Sequence, residues 1–302
     1  MRAFSRARGA SVVGVARKPN AGRESTTLGE LRFVDLTDRG QTSEVIRDVR
    51  PDWVFHLAAD ASVARSWSAP DATLHNNLVS ALNVLEAVRV EAPSARVLVA
   101  GSGEQYGPVP AGRQPIVEEE PLRPHSPYGV SKSAVDLLAG FYADAHGLRI
   151  VRTRGFNHAG PGQEHPYVVA SLARQVAAAE LAGHGTLNLR SGDLTIRRDF
   201  TDVRDVVRAY WLALERCPED VYNVCSGRSV PLTEVITELQ RSSSVEIRPV
   251  RDAQLLRPVD VRAVTGSREK LTRTCGWRPE IEFATTVGDA LQSWRDRLGA
   301  AP

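Results

Sequence analysis

Much of what a chain of 302 residues could be is excluded by what it lacks. No apolar run approaches the ~20 residues of a membrane span. The N-terminus is basic, but its apolar stretch, residues 11–16, is too short for a signal-peptide core. Cysteine is scarce. Cys217, Cys225 and Cys275 are odd in number and have no metal-ligand spacing. Without a signal peptide they fit reduced thiols, and the expected location is the cytoplasm. An excess of one charge is missing too. The 38 Lys and Arg against 36 Asp and Glu leave a net +2, too little to argue for nucleic acid. The arginines are scattered and mostly have acidic neighbours, as on solvated faces. There are no internal repeats and no low-complexity tracts. Near the N-terminus there is also no glycine-rich turn between a strand and a helix. Gly9 and Gly14 do not supply one, because neither follows a strand and opens a helix.

What is present is a soluble-type composition, 42% hydrophobic and 25% charged. The length allows one large core or two modest ones. From residue 11 to about 151, short apolar runs alternate with helical patterns. SVVGVA (11–16), LRFVDL (31–36), DWVFHLAA (52–59), ARVLVAG (95–101) and LRIVRT (148–153) read as strands. Most are apolar on both faces, as parallel strands covered by helices are. Helices are expected over 43–49, 74–90 and 128–146. In the second, Leu78, Leu82, Leu85 and Val88 recur at three- and four-residue spacing and predict one buried face. This alternation predicts an α/β, Rossmann-like, doubly wound parallel sheet. After Arg154 the pattern changes. FNHAGPGQ (156–163) reads as a Gly/Pro loop and not a strand. A helix over about 167–182, a short basic stretch RRDFTDV (197–203) and a helix over about 203–215 follow. DVYNVCSG (220–227) reads as a return to the sheet. The expected division is a dinucleotide-binding domain, 1–154 plus 203–226, and a smaller α/β substrate lobe, 155–202 plus 227–302.

The chemistry concentrates in AGSGEQYG and SPYGVSK. Ser102 ends an apolar strand, and Tyr128 and Lys132 stand four residues apart on one helix face. Reducing a ketone needs a hydride donor and an acid that protonates the nascent alkoxide. An unperturbed Tyr titrates near 10, and a nearby ammonium brings it toward working pH. Ser102 could hydrogen-bond the carbonyl oxygen. A Tyr-x-x-x-Lys pair alone is weak evidence, since it also describes a surface helical pair. Here it has context: HLAA upstream, the Ser-bearing strand end, the SPY helix start and the 26-position offset from Ser102 to Tyr128.

These motifs, with HLAADASV (56–63), LRPHSPYGVSK (122–132), TRGFNHAGPGQ (153–163), RRDFTDVRDVVRAYW (197–211), VYNVCSG (221–227) and LRPVDV…GSREKL…GWRP (256–279), resemble an extended short-chain dehydrogenase/reductase of the nucleotide-sugar-modifying class. Within it the chain most resembles the GDP-6-deoxy-4-keto-mannose reductases, with the GDP-mannose 4,6-dehydratases next. The resemblance implies Tyr128 as general acid, Lys132 as its tuner and a ribose ligand, and Ser102 as carbonyl partner. Glu104 occupies the catalytic-Glu position of the dehydratases. Dehydratases of the dTDP-glucose type carry an Asp just before it, where this chain has Gly103. The cysteine of fucose synthases has no counterpart in this region. FNHAGPGQ resembles the reductase form, which favours Glu104 as a polar wall of the sugar pocket over a base. The resemblance further implies Ser62 and Asn157 as substrate contacts and Arg198 and Arg257 as diphosphate ligands. For Arg198, between Arg197 and Asp199, a salt-bridged side chain is the alternative. Asp260 stands where relatives carry a ribose-binding Glu.

Cofactor choice is read at the end of the fold's second strand. Arg17 and Lys18 follow VVGVA with no acid, which favours NADP(H), with NAD(H) the alternative. Asp35 and Leu36 match the adenine-contact pair, and Ala58 and Ala59 would floor the nicotinamide pocket or serve ordinary helix–sheet packing. By the same resemblance a first strand and a Gly-x-x-Gly-x-x-Gly turn are expected before RAFSRARGA (2–10), which reads as the tail of the first helix. A gene start placed too far downstream, a truncated chain or a genuine short form would each account for this. The first is preferred, because a central strand is costly to discard. The resemblance also implies a homodimer through helices 74–90 and 128–146. Two functions of different class follow: an NADPH-dependent nucleotide-sugar reductase, with a 4,6-dehydratase as its variant, or a silent protein that binds a nucleotide sugar or another subunit. No nucleic acid or membrane partner is expected.

Overall fold

The structure, a computed structural model, describes residues 8–17, 30–164, 166–255 and 261–299. At its centre is a four-stranded parallel sheet of β3 (Trp53–His56), β4 (Arg96–Ser102), β5 (Arg149–Gly155) and β9 (Val221–Val224), in the order β3-β4-β5-β9. The alternation of the pleat decides what each face buries. Val97 and Val99 of β4 and Ile150 of β5 point into a cluster with Val84, Leu85, Val88, Val135 and Ala139. Leu98 and Val151 point the other way, against Val206, Ala209, Tyr210, Leu214, Leu271 and Trp277. Both faces are therefore covered, which explains why these strands read as unbroken apolar runs.

The first face is covered by α3 (Pro70–Glu91) and α4 (Pro127–His146). The second is covered by α6 (Val203–Arg216) and α8 (Glu269–Cys275). Upstream, β1 (Val13–Ala16) and β2 (Glu30–Phe33) form a separate parallel pair. The chain then runs through α1 (Arg39–Val49), capped by Asp38, into β3. The helix expected over 74–90 starts earlier and is preceded by a short helix, α2 (Val63–Ser68). Pro70 occupies the first turn of α3, where its missing N–H costs nothing, and so separates the two helices at Ala69. Leu82, expected on the buried face, is exposed. The buried stripe of α3 includes instead Asn77, Ala81, Val84, Leu85 and Val88.

Two readings after Arg154 need correction. FNHAGPGQ contains a strand, β6 (Asn157–Ala159), and the basic stretch RRDFTDV is a strand, β8 (Arg197–Asp202). β8 lies between β6, to which it is parallel, and β10 (Ser229–Pro231), to which it is antiparallel. A three-residue strand is too short for a periodicity signal. Ladder bonds to neighbours more than twenty residues away outweigh the loop-like composition. β7 (Thr186–Ser191) pairs in parallel with β11 (Glu246–Arg251). A third cluster joins α5 (Val168–Leu181), α7 (Leu232–Ser242) and α9 (Phe283–Gly299) through Leu172, Val176, Leu239, Val287 and Leu291. No helix among the described residues is long and apolar enough to cross a membrane.

Candidate active site

The C-terminal ends of β3, β4 and β5 lie on the edge where open α/β sheets bind ligands. At the end of β4 the chain leaves the sheet in a single 3-10 turn, Gly103–Gln105. Ser102 caps it. Its Oγ accepts from Glu104 N at 3.2 Å, and its own N–H donates to Gln105 Oε1 at 2.6 Å. The capping fixes the Ser102 side chain at the strand tip.

Helix α4 delivers the other two groups. Ser126 is its N-cap and accepts from Gly129 N at 3.0 Å, Pro127 opens the first turn, and Gly147 ends the helix in the left-handed region. Gly129 lets this first turn approach the strand tip. A Cβ there would stand 2.8 Å from the Glu104 carbonyl oxygen and 3.0 Å from Pro124 Cβ. As a result Tyr128 and Lys132 are buried beside Ser102. Burial pushes the Tyr128 phenol well above its ordinary range, a hydrogen bond with Ser102 opposes this, and the charge of Glu104 adds to the rise. Lys132 Nζ donates to the Ala100 carbonyl oxygen at 2.7 Å, and burial pushes it down to about 8. The charge of Lys132, after burial, helps hold buried His56 at the end of β3 down to about 3. Ser102 is thus the neighbour that counters the rise at Tyr128, while Lys132 reaches back to the strand.

The segment after β3 is tied to the same helix. Asn77 Oδ1 accepts from Asp60 N at 2.7 Å, and Asn77 Nδ2 donates to Asp60 O at 3.2 Å and to Ser131 Oγ at 2.9 Å. Ser131 Oγ in turn donates to the Tyr128 carbonyl at 2.7 Å. Ala58 is exposed and Ala59 half-buried within this anchored segment. In the separate β1–β2 pair, Asp35 follows β2, and its Oδ1 accepts from Thr37 N and Thr37 Oγ1 at 2.9 and 2.8 Å. Those two bonds, helped by the charge of exposed Arg17, hold its carboxyl below the ordinary range. The Leu36 carbonyl accepts from Asn83 Nδ2 at 2.9 Å.

Not every expected residue gathers at the strand tips. Ser62 is the N-cap of α2, accepting from Arg65 N at 3.1 Å. Asn157 is exposed on β6. Arg198 is buried, and its Nη1 donates to the carbonyls of Arg197 and Val261 at 2.9 and 2.6 Å. Lys18, Arg257 and Asp260 lie outside the described residues.

Two groups of buried polar residues escaped the sequence reading. Asp199 accepts from Ser226 N, Ser226 Oγ, Gly227 N and Gly266 N, tying β8 to the turn after β9. Arg154, at the end of β5, pairs with Asp136 of α4 at 2.6 Å, both buried. The one available signal was that Asp136 stands four residues after Lys132 on the same helix.

Known proteins resemble this chain over most of its length. The family model described as GDP-mannose 4,6 dehydratase matches residues 7–290. The GDP-6-deoxy-D-mannose reductase of Pseudomonas aeruginosa is 38% identical over 249 residues, 82% of this chain and 82% of the relative. GDP-mannose 4,6 dehydratase 2 of Arabidopsis thaliana is 31% identical over 270 residues, 86% of this chain and 70% of the relative. The solved structure of RMD from Pseudomonas aeruginosa complexed with NADPH superposes with a TM-score of 0.82 at 35% identity, covering 91% of each chain. A parallel sheet covered on both faces, a serine at one strand tip with Tyr128 and Lys132 beside it, and a match along most of the sequence lead to one conclusion: the chain belongs to the GDP-mannose 4,6-dehydratase family of extended short-chain dehydrogenases/reductases.

Proposed function

We propose that this chain reduces the C4 ketone of a nucleotide-activated 4-keto-6-deoxyhexose, converting GDP-4-keto-6-deoxy-D-mannose to GDP-D-rhamnose with NADPH. The observation that carries the reading is the buried Ser102–Tyr128 pair, with Lys132 one helical turn on, in a chain 38% identical to a GDP-6-deoxy-D-mannose reductase. The residues suit a nicotinamide dinucleotide at both ends. Exposed Arg17 at the end of β1 is a cation suited to a 2′-phosphate, beside Asp35 and Leu36 for the adenine. Ala58 and Ala59 offer small side chains next to the Tyr128 helix, and Lys132 is the cation for the ribose. The described residues include no glycine-rich turn for the pyrophosphate. When bound, NADPH supplies the hydride for C4.

The chain's own groups handle the proton. Burial keeps Tyr128 protonated at neutral pH, so its phenol can deliver a proton to the C4 oxygen as negative charge develops there. Ser102, held by its turn, donates a hydrogen bond to the same oxygen. Glu104 forms a polar wall of the sugar pocket, with Ser62, Asn157, Arg198, Arg257 and Asp260 assigned to the sugar nucleotide. Residues 1–154 plus 203–226 form the cofactor domain, and 155–202 plus 227–302 the substrate lobe. The exposed apolar residues Leu82 and Val90 of α3 and Leu137 and Phe141 of α4 support a homodimer through these helices. A reducing compartment, the cytoplasm, suits three free, buried cysteines.

A 4,6-dehydratase is the second reading, favoured by the charge of Glu104 acting on Tyr128. NADPH absorbance followed with the keto sugar nucleotide, beside GDP-mannose alone, separates the two. NADPH consumption with the keto sugar, lowered at least ~100-fold in Tyr128→Phe, is the expected result. Conversion of GDP-mannose without NADPH consumption would establish the dehydratase. Neither reaction, together with no NADPH binding, would leave a silent binding protein.

A further inference from the structure

Behind the reacting groups, one guanidinium joins the elements that carry them. Arg154 is buried at the end of β5, next to Gly155, whose strand partner is Ser102. Its Nη2 and Nε donate to Asp136 Oδ2 at 2.6 and 3.2 Å. Its Nη1 donates to Tyr106 Oη at 3.1 Å and to the Glu118 carbonyl at 2.9 Å. The guanidinium also lies 5.1 Å from the Tyr106 ring centroid. Tyr106 Oη donates to Asn223 Oδ1 of β9 at 2.7 Å, and Asn223 N donates to Glu118 Oε1 at 2.8 Å.

Asp136 belongs to α4, one turn beyond Lys132. Tyr106 closes the turn that starts at Ser102, donating its backbone N–H to Gly103 O at 3.1 Å. Asp136, Tyr106 and Asn223 are almost wholly buried, so each polar atom in the network depends on its partners and not on water.

We infer that Arg154, Asp136 and Tyr106 are positioning residues that set the placement of the Ser102 turn against helix α4, and so the Ser102–Tyr128 pairing on which proton delivery depends. The inference rests on the reductase reading given above. Because Ser102 sits on β4 and Tyr128 on α4, something must fix one element against the other. A planar fork that bonds both at once does so with less freedom than apolar packing alone.

The test is a double-mutant cycle. Tyr106→Phe removes one oxygen and keeps the ring. In the wild-type background it should lower kcat roughly tenfold, with KM for NADPH and for the keto sugar nucleotide within about twofold. In a Ser102→Ala background the same substitution should change the residual kcat less than about twofold, because the group it positions is gone. Equal losses in both backgrounds would reduce the network to general support of the fold and overturn the inference.

A second measurement does not depend on the substrate. In protein labelled with fluorotyrosine, the Tyr128 resonance is assigned by its disappearance in Tyr128→Phe. It should move in Tyr106→Phe and in Asp136→Asn, and an unmoved resonance overturns the inference. A wild-type protein that leaves the keto sugar unreduced would count against the substrate reading alone, with the resonance still deciding the network. If Tyr106→Phe does not fold, Asp136→Asn serves for both measurements.

Discussion

Lys132 illustrates at the residue scale how a functional group opposes stability. Its ammonium is buried with the Ala100 carbonyl as its partner, and burial lowers its titration from 10.5 to about 8. Below pH 8 the side chain is charged in both folded and unfolded protein, so the folded state bears the full cost of burial. Between about 8 and 10.5 the folded protein has released the proton and the unfolded chain has not, so the cost fades as pH rises. Lys132→Met is therefore expected to stabilise the fold at pH 7 by about 1–2 kcal/mol, less than the full cost of the buried charge because the Ala100 carbonyl loses its donor, with the advantage shrinking through that window. Denaturant unfolding at pH 7 and pH 10 checks it. The same variant should lose reductase activity. Spacing on one helix placed Lys132 beside Tyr128 in sequence. That its ammonium turns to the strand was not legible there, because Ala100 lies 32 positions away.

At the scale of elements, the site is a contact between a strand tip and a helix start. Gly129 sets how close they come. In an exposed helix Gly→Ala gains up to about 1 kcal/mol. Here the new Cβ would press on the Glu104 carbonyl oxygen, which belongs to the backbone of the Ser102 turn. Gly129→Ala should therefore destabilise by about 1–3 kcal/mol and lower kcat. Thermal unfolding and steady-state kinetics check both effects. The strands of the central sheet were readable because both faces are apolar, and α4 because its cap and period agree. β6 and β8 were not. Their residues carry the signature of loops and basic surface, and they become strands through hydrogen bonds to each other and to β10.

At the scale of the molecule, an apolar face is exposed among the described residues. Leu137 and Phe141 on α4 are 66% and 57% exposed, while Val135, Ala139 and Tyr142 of the same helix are buried. If this face meets a second copy, replacing both exposed residues with Glu should shift sedimentation from dimer to monomer. NADPH binding by the monomer should persist, because Arg17 and Asp35 lie outside α4 and Lys132 is on its buried side. A variant that stays dimeric would move the interface away from α4.

The fold class, the strand–helix alternation of the central sheet and the candidate set Ser102, Tyr128 and Lys132 were legible before any folding. Periods of two and 3.6 and helix caps act over a few residues, and sequence carries them directly. The tertiary structure decided which partner each buried polar atom takes. Arg154 finds Asp136 and Tyr106, Asp199 finds the turn at Ser226, and Arg198 finds the carbonyls of Arg197 and Val261. Most of these partners lie tens of residues apart and meet only when the sheet and its helices close. Burial then makes each pairing obligatory, since a polar atom removed from water must be satisfied by whatever the fold brings to it.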